Sequence, residues 1–447
     1  MTILANGRSG DIDRASNADL AFLAMGVGRV PEQFAVVLVM DGVVDARTAE
    51  QLLDERVRGV PRLRQRLVRT PPGCGPAIWI DDDGFDVRRH LRAVRCAQPG
   101  DDAALLDTVL PLVMQPLPRD RPLWRAAFVD GLAAGGTALV LVVHHVLADG
   151  LGGLAVLDQL VDGRTIVPGP AVPHRPPPIA HLAADALSSR LRAVREIGVN
   201  CRRLRSAMAA GGGMSPARAE PCSLIARTGD RRSAATVRTD LAGLRENAHR
   251  YGATVNAALL TAVAGALSTV LEQRGEKVPA VVVAVPVAGH RAAGAAPGNA
   301  VSPLLVTVPT AGSRTERITR VADVVRRRRE LATGPAPIAL LGAMFRLVAA
   351  LGGYRWYMQR QRRLHTVVSY VRGPEQPVRF GGVPVRAMIP LVVGGNTNIT
   401  VSFQALSYAG SLTVTAVADP DRCPDLPLLA RSLRQELAAL THSEEQT

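Results

Sequence analysis

The residues best suited to chemistry stand at the end of one apolar run. Leu139 to Val143 are five apolar, mostly β-branched residues that read as a buried strand, and the strand ends on His144 and His145. After Asp149-Gly150 the sequence resumes with Gly152, Leu154, Val156, Leu157, Leu160 and Val161 at helical spacing. The two histidines therefore occupy a strand-to-loop-to-helix junction, where rigid scaffolds present chemistry. A neutral imidazole there can accept a proton near pH 7. Taken alone, a histidine beside an apolar strand is more often structural, and His90, in Phe85 to Leu91, is read that way.

Several elements must position the junction. Ser16 to Leu23 reads as a helix cap and first turn, Phe34 to Val39 as a strand, and Asp45 as the cap of a helix carrying Ala49, Leu52, Leu53 and Val57. A strand follows at 77–80 and a helix at 102–114. Trp124 to Phe128 reads as an edge-like strand, announced by Pro122, that forms a hairpin with the histidine strand. The first lobe is thus a sheet covered by helices.

Prolines between Thr165 and Pro178 break regular structure and mark a crossover. The expected division is a first lobe at 1–165, a crossover with a basic amphipathic helix at 166–220, and a second lobe at 221–447. On that helix Leu187, Leu191, Val194, Cys201, Leu204 and Met208 share one face, with Arg190, Arg192, Arg195, Arg202 and Arg203 on the others. Such a helix can lie on an anionic membrane, but the favoured expectation is that its apolar stripe docks on the protein. Gly211 to Gly213 ends the segment.

In the second lobe, strands are expected at 234–237, 278–285, 304–308, 366–370, 383–388, 397–403 and 411–417, with helices from Leu241, from Thr254 and at 426–440. Residues 337–358 come nearest to a membrane helix, but Arg346, Arg355 and Gly352-Gly353 argue against spanning. They are expected to line a hydrophobic groove or touch lipid. No apolar run approaches the ~20 residues of a spanning helix.

A chain of 447 residues, 47% hydrophobic, implies two domains or one bilobal unit. The net charge of +14 favours anionic partners. Nucleic acid fits poorly, because only 3% of residues are aromatic and no zinc-finger or RNA-binding signature is present. Lys277 is the only lysine, so part of the basicity is compositional. Five scattered cysteines without a C-x-x-C pair indicate reduced thiols and no metal site. The N-terminus lacks an apolar signal core, and a cytoplasmic protein is expected.

The spacing His144-His145-x-x-x-Asp149-Gly150 resembles the active-site motif of the acyltransferase superfamily of chloramphenicol acetyltransferase and peptide-synthetase condensation domains. Pro122-Leu123-Trp124, Val60 to Leu67, Gly298 to Ser302 and Asn398 to Val401 are similar to segments of one branch, the bacterial wax ester synthase/diacylglycerol acyltransferase family. The resemblance covers nearly the whole chain. It implies an α/β (α+β) fold of two chloramphenicol-acetyltransferase-like lobes, with acyl-CoA and an alcohol entering a channel between them from opposite sides. It also implies that no cofactor is bound and that acyl-CoA is a co-substrate.

By the same resemblance His145 is the general base, His144 orients the loop, Gly150 gives backbone freedom, and Asp149 forms a structural ion pair for which Arg291 is the suggested partner. Pro122, Leu123, Trp124, Asn256, Ser369 and Asn398 are carried over as substrate-binding candidates, with Asn398 and Ser369 as oxyanion donors. Three features depart from the family pattern: Asn256 is followed by Ala257, Ser369-Tyr370-Val371-Arg372-Gly373-Pro374 replaces a Ser-Asn-Val-Pro-Gly-Pro type, and the interval between Asn398 and Ser407-Tyr408-Ala409-Gly410 is longer than is typical.

Three readings stay open. One is acyl-CoA-dependent transfer to diacylglycerol or a long-chain alcohol, making triacylglycerol or wax ester at an inner-membrane or lipid-inclusion surface. Another keeps the fold but uses a different thioester donor or acceptor. The third is a non-enzymatic lipid-surface protein.

Overall fold

The computed structural model describes residues 12–442 apart from 27, 148–149, 164–175, 197, 200, 203–204, 206–217, 289–300, 332–336 and 396. In chain order the first half runs α1 (Asn17–Met25), β1 (Gln33–Met40), α2 (Ala46–Val57), β2 (Gln65–Val68), β3 (Ile78–Asp81), β4 (Leu91–Arg95), α3 (Asp102–Met114), β5 (Trp124–Asp130), β6 (Thr137–His144), α4 (Gly150–Leu160) and α5 (Ile179–Arg195). Next come β7 (Ser233–Asp240), α6 (Leu241–Arg250), α7 (Val255–Gln273), β8 (Ala280–Ala288), β9 (Val301–Pro309), α8 (Arg314–Leu331), α9 (Pro337–Ala350) and α10 (Gly353–Met358). The chain finishes with β10 (Thr366–Arg372), β11 (Arg379–Phe380), β12 (Val383–Val392), β13 (Val401–Tyr408), β14 (Ser411–Ala418) and α11 (Leu426–Thr441).

The first sheet has the order β11-β12-β1-β6-β5-β4. β1 and β6 are buried along their whole length, as continuous apolar runs in the middle of a covered sheet should be. The expected hairpin of β5 and β6 is present, with Trp124 opposite Val143. β5 is not the edge, however. β4, absent from the sequence reading, pairs with it in parallel and takes that place. Pro122 precedes β5 and therefore removes no ladder hydrogen bond.

The second sheet has the order β7-β14-β13-β10-β8-β9. Its main core forms around α7, whose residues from Val255 to Leu267 are all buried. With 19 residues, α7 is long and apolar enough to cross a membrane by length and composition, so the apolar run judged absent from the sequence does occur. Its burial makes it a core helix. The predicted strands at 366–370, 383–388 and 411–417 correspond to β10, β12 and β14, and α8 went unread.

The lobe boundary needs correction. β11 and β12 lie far into the second half of the chain but complete the first sheet, with β12 antiparallel to β1 and Phe34 opposite Val392. Ala387 to Leu391 are all buried, and a run apolar on both faces needs cover on both. A place beside β1 supplies it. The Tyr408 hydroxyl at the end of β13 donates to Val385 O at 2.7 Å and accepts from Val378 N–H at 2.9 Å, tying the second sheet to β12.

The basic helix also departs from expectation. Leu182 and Ala186 of α5 face the protein, whereas Leu187, Leu191 and Val194 are exposed. Among the described residues, the apolar stripe at Leu187, Leu191 and Val194 does not dock on the chain. Leu204, Met208 and Gly211 to Gly213 lie outside the described residues.

Candidate active site

Strand alternation decides what each histidine can do. In the β1–β6 ladder Gln33 is opposite His144. Gln33 turns its amide to the carbonyls of Val113 and Gln115 at the end of α3. His144 is buried, and its Nδ1 accepts from the Val146 N–H at 3.0 Å, which fixes the turn. Burial, then the nearby His145 and Arg119, lowers its pKa to about 3. His144 is thus a neutral, loop-orienting residue.

Carried one pair further, the register places His145 opposite Glu32, and the His145 N–H donates to Glu32 O at 3.2 Å. The ring points to the other face. It stacks on Phe22 of α1, with centroids 5.0 Å apart and planes at 20°, and tilts against Phe34 of β1 at 4.8 Å. Burial lowers its pKa to about 4, so the imidazole is neutral at physiological pH and can take a proton.

Glu32 lies two residues before Phe34, just ahead of β1. The Glu32 carboxyl rests against Gly395, where an added Cβ would fall 2.0 Å from Oε1, and burial raises its pKa to about 7. Tyr354 of α10 is near enough for the Glu32 charge to add to burial in raising its phenol well above the usual range.

α1 holds Phe22 in place through a capping box. Ser16 Oγ accepts from Asp19 N–H at 3.1 Å, and Asp19 accepts from Ser16 N–H at 3.0 Å. Gly153 of α4 lies so close to Phe34 that an added Cβ would meet ring carbons at 2.7 Å.

The other predicted residues take different places. Leu123 O accepts from the His144 N–H at 3.0 Å, and Pro122 O from the Trp124 N–H at 2.9 Å. Trp124 is only 2% exposed, donates its indole N–H to Leu63 O at 2.7 Å and stacks on His90 at 4.5 Å. Pro122-Leu123-Trp124 therefore braces the histidine strand, and Trp124, expected among the substrate-binding residues, is placed in the core. His90 accepts its structural assignment through Nδ1, 2.9 Å from Trp124 O.

Asn398 is buried, and its side chain exchanges hydrogen bonds with Gln361, to the Gln361 carbonyl at 2.7 Å and from the Gln361 amide at 2.8 Å. Ser369 sits in β10, opposite Gln404 of β13. Asn256 is buried one residue after the start of α7, whose cap is Thr254. Gly150 opens α4, whereas Asp149 and its suggested partner Arg291 lie outside the described residues. Among those residues no group of three or more His, Cys, Asp or Glu could hold a metal ion.

The wax ester synthase/diacylglycerol acyltransferase catalytic domain model matches residues 16–259, and the C-terminal domain model matches residues 297–441. The chain belongs to this family. A Mycobacterium tuberculosis protein provisionally named a diacylglycerol O-acyltransferase is 28% identical over 446 residues, 93% of this chain and 87% of that one. The wax ester synthase/diacylglycerol acyltransferase from Marinobacter aquaeolei superposes with a TM-score of 0.67 at 21% identity, over 96% of this chain and 98% of that one. The starter condensation domain of rhizomide synthetase, solved with C8-CoA and Leu-SNAC, gives 0.63 at 17% identity, over 96% and 94%. The family membership makes the chain an acyltransferase, and the superpositions show that it shares its fold of two sheet-containing lobes with these proteins.

The sequence pointed to the histidines but not to their surroundings. Glu32, Phe22 and Phe34 went unread because each reaches His145 from another segment, Glu32 through its backbone carbonyl, and Gly153 because it bears on His145 only by packing on Phe34. One local signal existed for Glu32, a carboxylate just ahead of a strand that is apolar from Phe34 to Met40.

Proposed function

We propose that this acyltransferase moves a long-chain acyl group from acyl-CoA to the hydroxyl of a diacylglycerol or a long-chain alcohol, with His145 as the general base. The observation that carries this reading is the neutral His145 ring, held between Phe22 and Phe34 at the end of a buried strand. An alcohol is too weak an acid to ionise at neutral pH, so His145 takes its proton as the oxygen attacks the thioester carbonyl. The tetrahedral intermediate then breaks its C–S bond. The proton held by His145 passes to the departing coenzyme A thiolate, which leaves the ester and a free thiol.

Of the two oxyanion candidates, Asn398 already trades its amide groups with Gln361. Ser369 and backbone N–H groups of the histidine loop are the remaining candidates. Acyl-CoA as the donor is supported by the +14 charge, which suits its phosphates, and by the C8-CoA bound to the rhizomide synthetase domain. The exposed Leu187, Leu191 and Val194, with arginines beside them, support an enzyme seated on an anionic membrane or lipid inclusion.

The test is thiol release from palmitoyl-CoA with hexadecanol or a diacylglycerol. Release should require an acceptor and fall at least about a hundredfold in His145→Ala, the scale of general-base catalysis. A folded protein that releases no thiol with either acceptor would defeat the acyl-CoA reading.

A further inference from the structure

We propose that a row of polar side chains across the second sheet, Ser369, Gln404 and Thr415, receives the thioester and the two amides of the donor's pantetheine arm. This rests on the acyl-CoA reading above. The ladders set the row directly. Ser369 of β10 is opposite Gln404 of β13, Gln404 is opposite Thr415 of β14, and Thr415 is opposite Thr236 of β7. Residues paired in this way share one face of the sheet.

That face is turned to the first lobe. Val401, Phe403 and Ala405 of β13 pack in the second core, whereas Leu406 and Tyr408, in step with Gln404, pack in the first. On β14 Val417, in step with Thr415, also packs in the first. The same end of the sheet adjoins the histidine turn. The His145 N–H donates to Glu32 O, the Glu32 side chain rests on Gly395, and Arg232, just before β7, donates to Gly395 O at 3.3 Å. Thr236 follows four residues after Arg232.

Two members of the row are buried with hydrogen-bonding capacity to spare. Gln404 is 5% exposed and Thr415 0%, and neither Gln404 Oε1 nor Thr415 Oγ1 has a partner among the described residues. Gln404 engages only its Nε2, which donates to Ser402 Oγ at 3.1 Å. Leaving such groups unpaired is costly, and a hydrocarbon chain cannot pair them. The ester oxygens of a diacylglycerol only accept, so they cannot serve Gln404 Oε1, and the acceptor's hydroxyl is committed to His145. The pantetheine arm carries two secondary amides, each with an N–H and a carbonyl. Along the extended arm the thioester, the first amide and the second amide follow one another at about the ~4.8 Å spacing of neighbouring strands. A thioester at Ser369, an oxyanion candidate, therefore brings the first amide to Gln404 and the second to Thr415. Ser369 and Ser402 are half-buried and form the open end of the row.

The experiment measures thiol release from palmitoyl-CoA, from S-palmitoyl-N-acetylcysteamine, which keeps only the first amide, and from S-ethyl thiopalmitate, which has none. The preference for palmitoyl-CoA over the ethyl thioester, in kcat/KM, should fall about tenfold in Gln404→Leu, the scale of one lost hydrogen bond. Thr415→Val should reduce it less, and the N-acetylcysteamine thioester should be sensitive to Gln404→Leu alone. The change should lie in KM, and calorimetry with coenzyme A should show the same loss of affinity. Thr415→Val removes a hydroxyl that pairs with nothing in the free protein, so its denaturant midpoint should hold or rise. Equal losses on all three thioesters, or undiminished affinity of Gln404→Leu for coenzyme A, would overturn the proposal. A folded wild type that neither binds coenzyme A nor turns over palmitoyl-CoA would overturn the acyl-CoA reading with it.

Discussion

His145 owes its state to its neighbours, and Gly153 offers the mildest way to disturb them. In an exposed helix Gly→Ala gains up to about 1 kcal/mol, but here the new methyl meets the Phe34 ring at 2.7 Å. Gly153→Ala should therefore move Phe34 and lower kcat on the order of tenfold, as misplacement of a catalytic group does. An unchanged kcat in steady-state assays would show that ring contact is dispensable. The same neighbours fix the pH dependence of stability. The folded pKa values of His144 and His145 are lowered, so between about 4.5 and 6.5 the unfolded chain binds two more protons at these positions. The raised Glu32 binds one more in the folded state over that window. The net difference is one proton, and these groups make stability rise with pH by about 1.4 kcal/mol per unit. Glu32→Gln should double this contribution in denaturant titrations across that range. The spacing of the histidine motif was legible because it is local. The rings were not, because Phe34 meets His145 only through the β1–β6 register and Phe22 only through the packing of α1.

At the scale of elements the decisive feature is β12, which leaves the second half of the chain to complete the first sheet. Its existence was legible from an apolar run between turns. Its partner was not, since a run buried on both faces looks the same in either sheet. A buried clamp holds its turn. Asp162, just after α4, pairs with Arg56 of α2 and accepts from the N–H groups of Gly382 at 2.7 Å and Gly381 at 3.0 Å. Burial opposes the Asp162 anion, but these donors outweigh it and lower its pKa. Arg56 also donates to Leu160 O and lies over the Phe380 ring at 5.1 Å. Asp162→Ala would strand the Arg56 charge, and stability should fall by about 2–3 kcal/mol, somewhat less than for a fully buried pair. Amide exchange at Gly381 and Gly382 should quicken more than in β12. Uniform exchange across the strand would show that the turn is held by the ladder alone.

At the scale of the molecule, the feature the sequence could not settle is which side of α5 meets the protein. Periodicity shows that a stripe exists, and only tertiary contacts show where it points. Arg14 anchors the opposite side, through Asp185 at 2.6 Å and the Leu182 carbonyl at 3.0 Å. That leaves Leu187, Leu191 and Val194 outward, flanked at helical spacing by Arg190 and Arg195. The same short segment holds α9, where Arg346 donates to Asn17 Oδ1 at 2.7 Å and Met344 and Leu347 are exposed, as is Leu351 just after the helix. Two helices with apolar outer faces thus hang from residues 14–17, and the arginines beside α5 suit anionic headgroups. Burying a leucine contributes about 1.5–3 kcal/mol when complete. Leu187→Ser with Leu191→Ser should therefore weaken sedimentation with phosphatidylglycerol-containing vesicles on the order of a hundredfold, and high salt should weaken the wild type. Thiol release from a short-chain, water-soluble acyl-CoA and alcohol should be unchanged, because α5 meets the fold through Leu182 and Ala186. Equal binding by the variant, or equal binding to neutral vesicles, would mean that this face does not seat the enzyme on lipid.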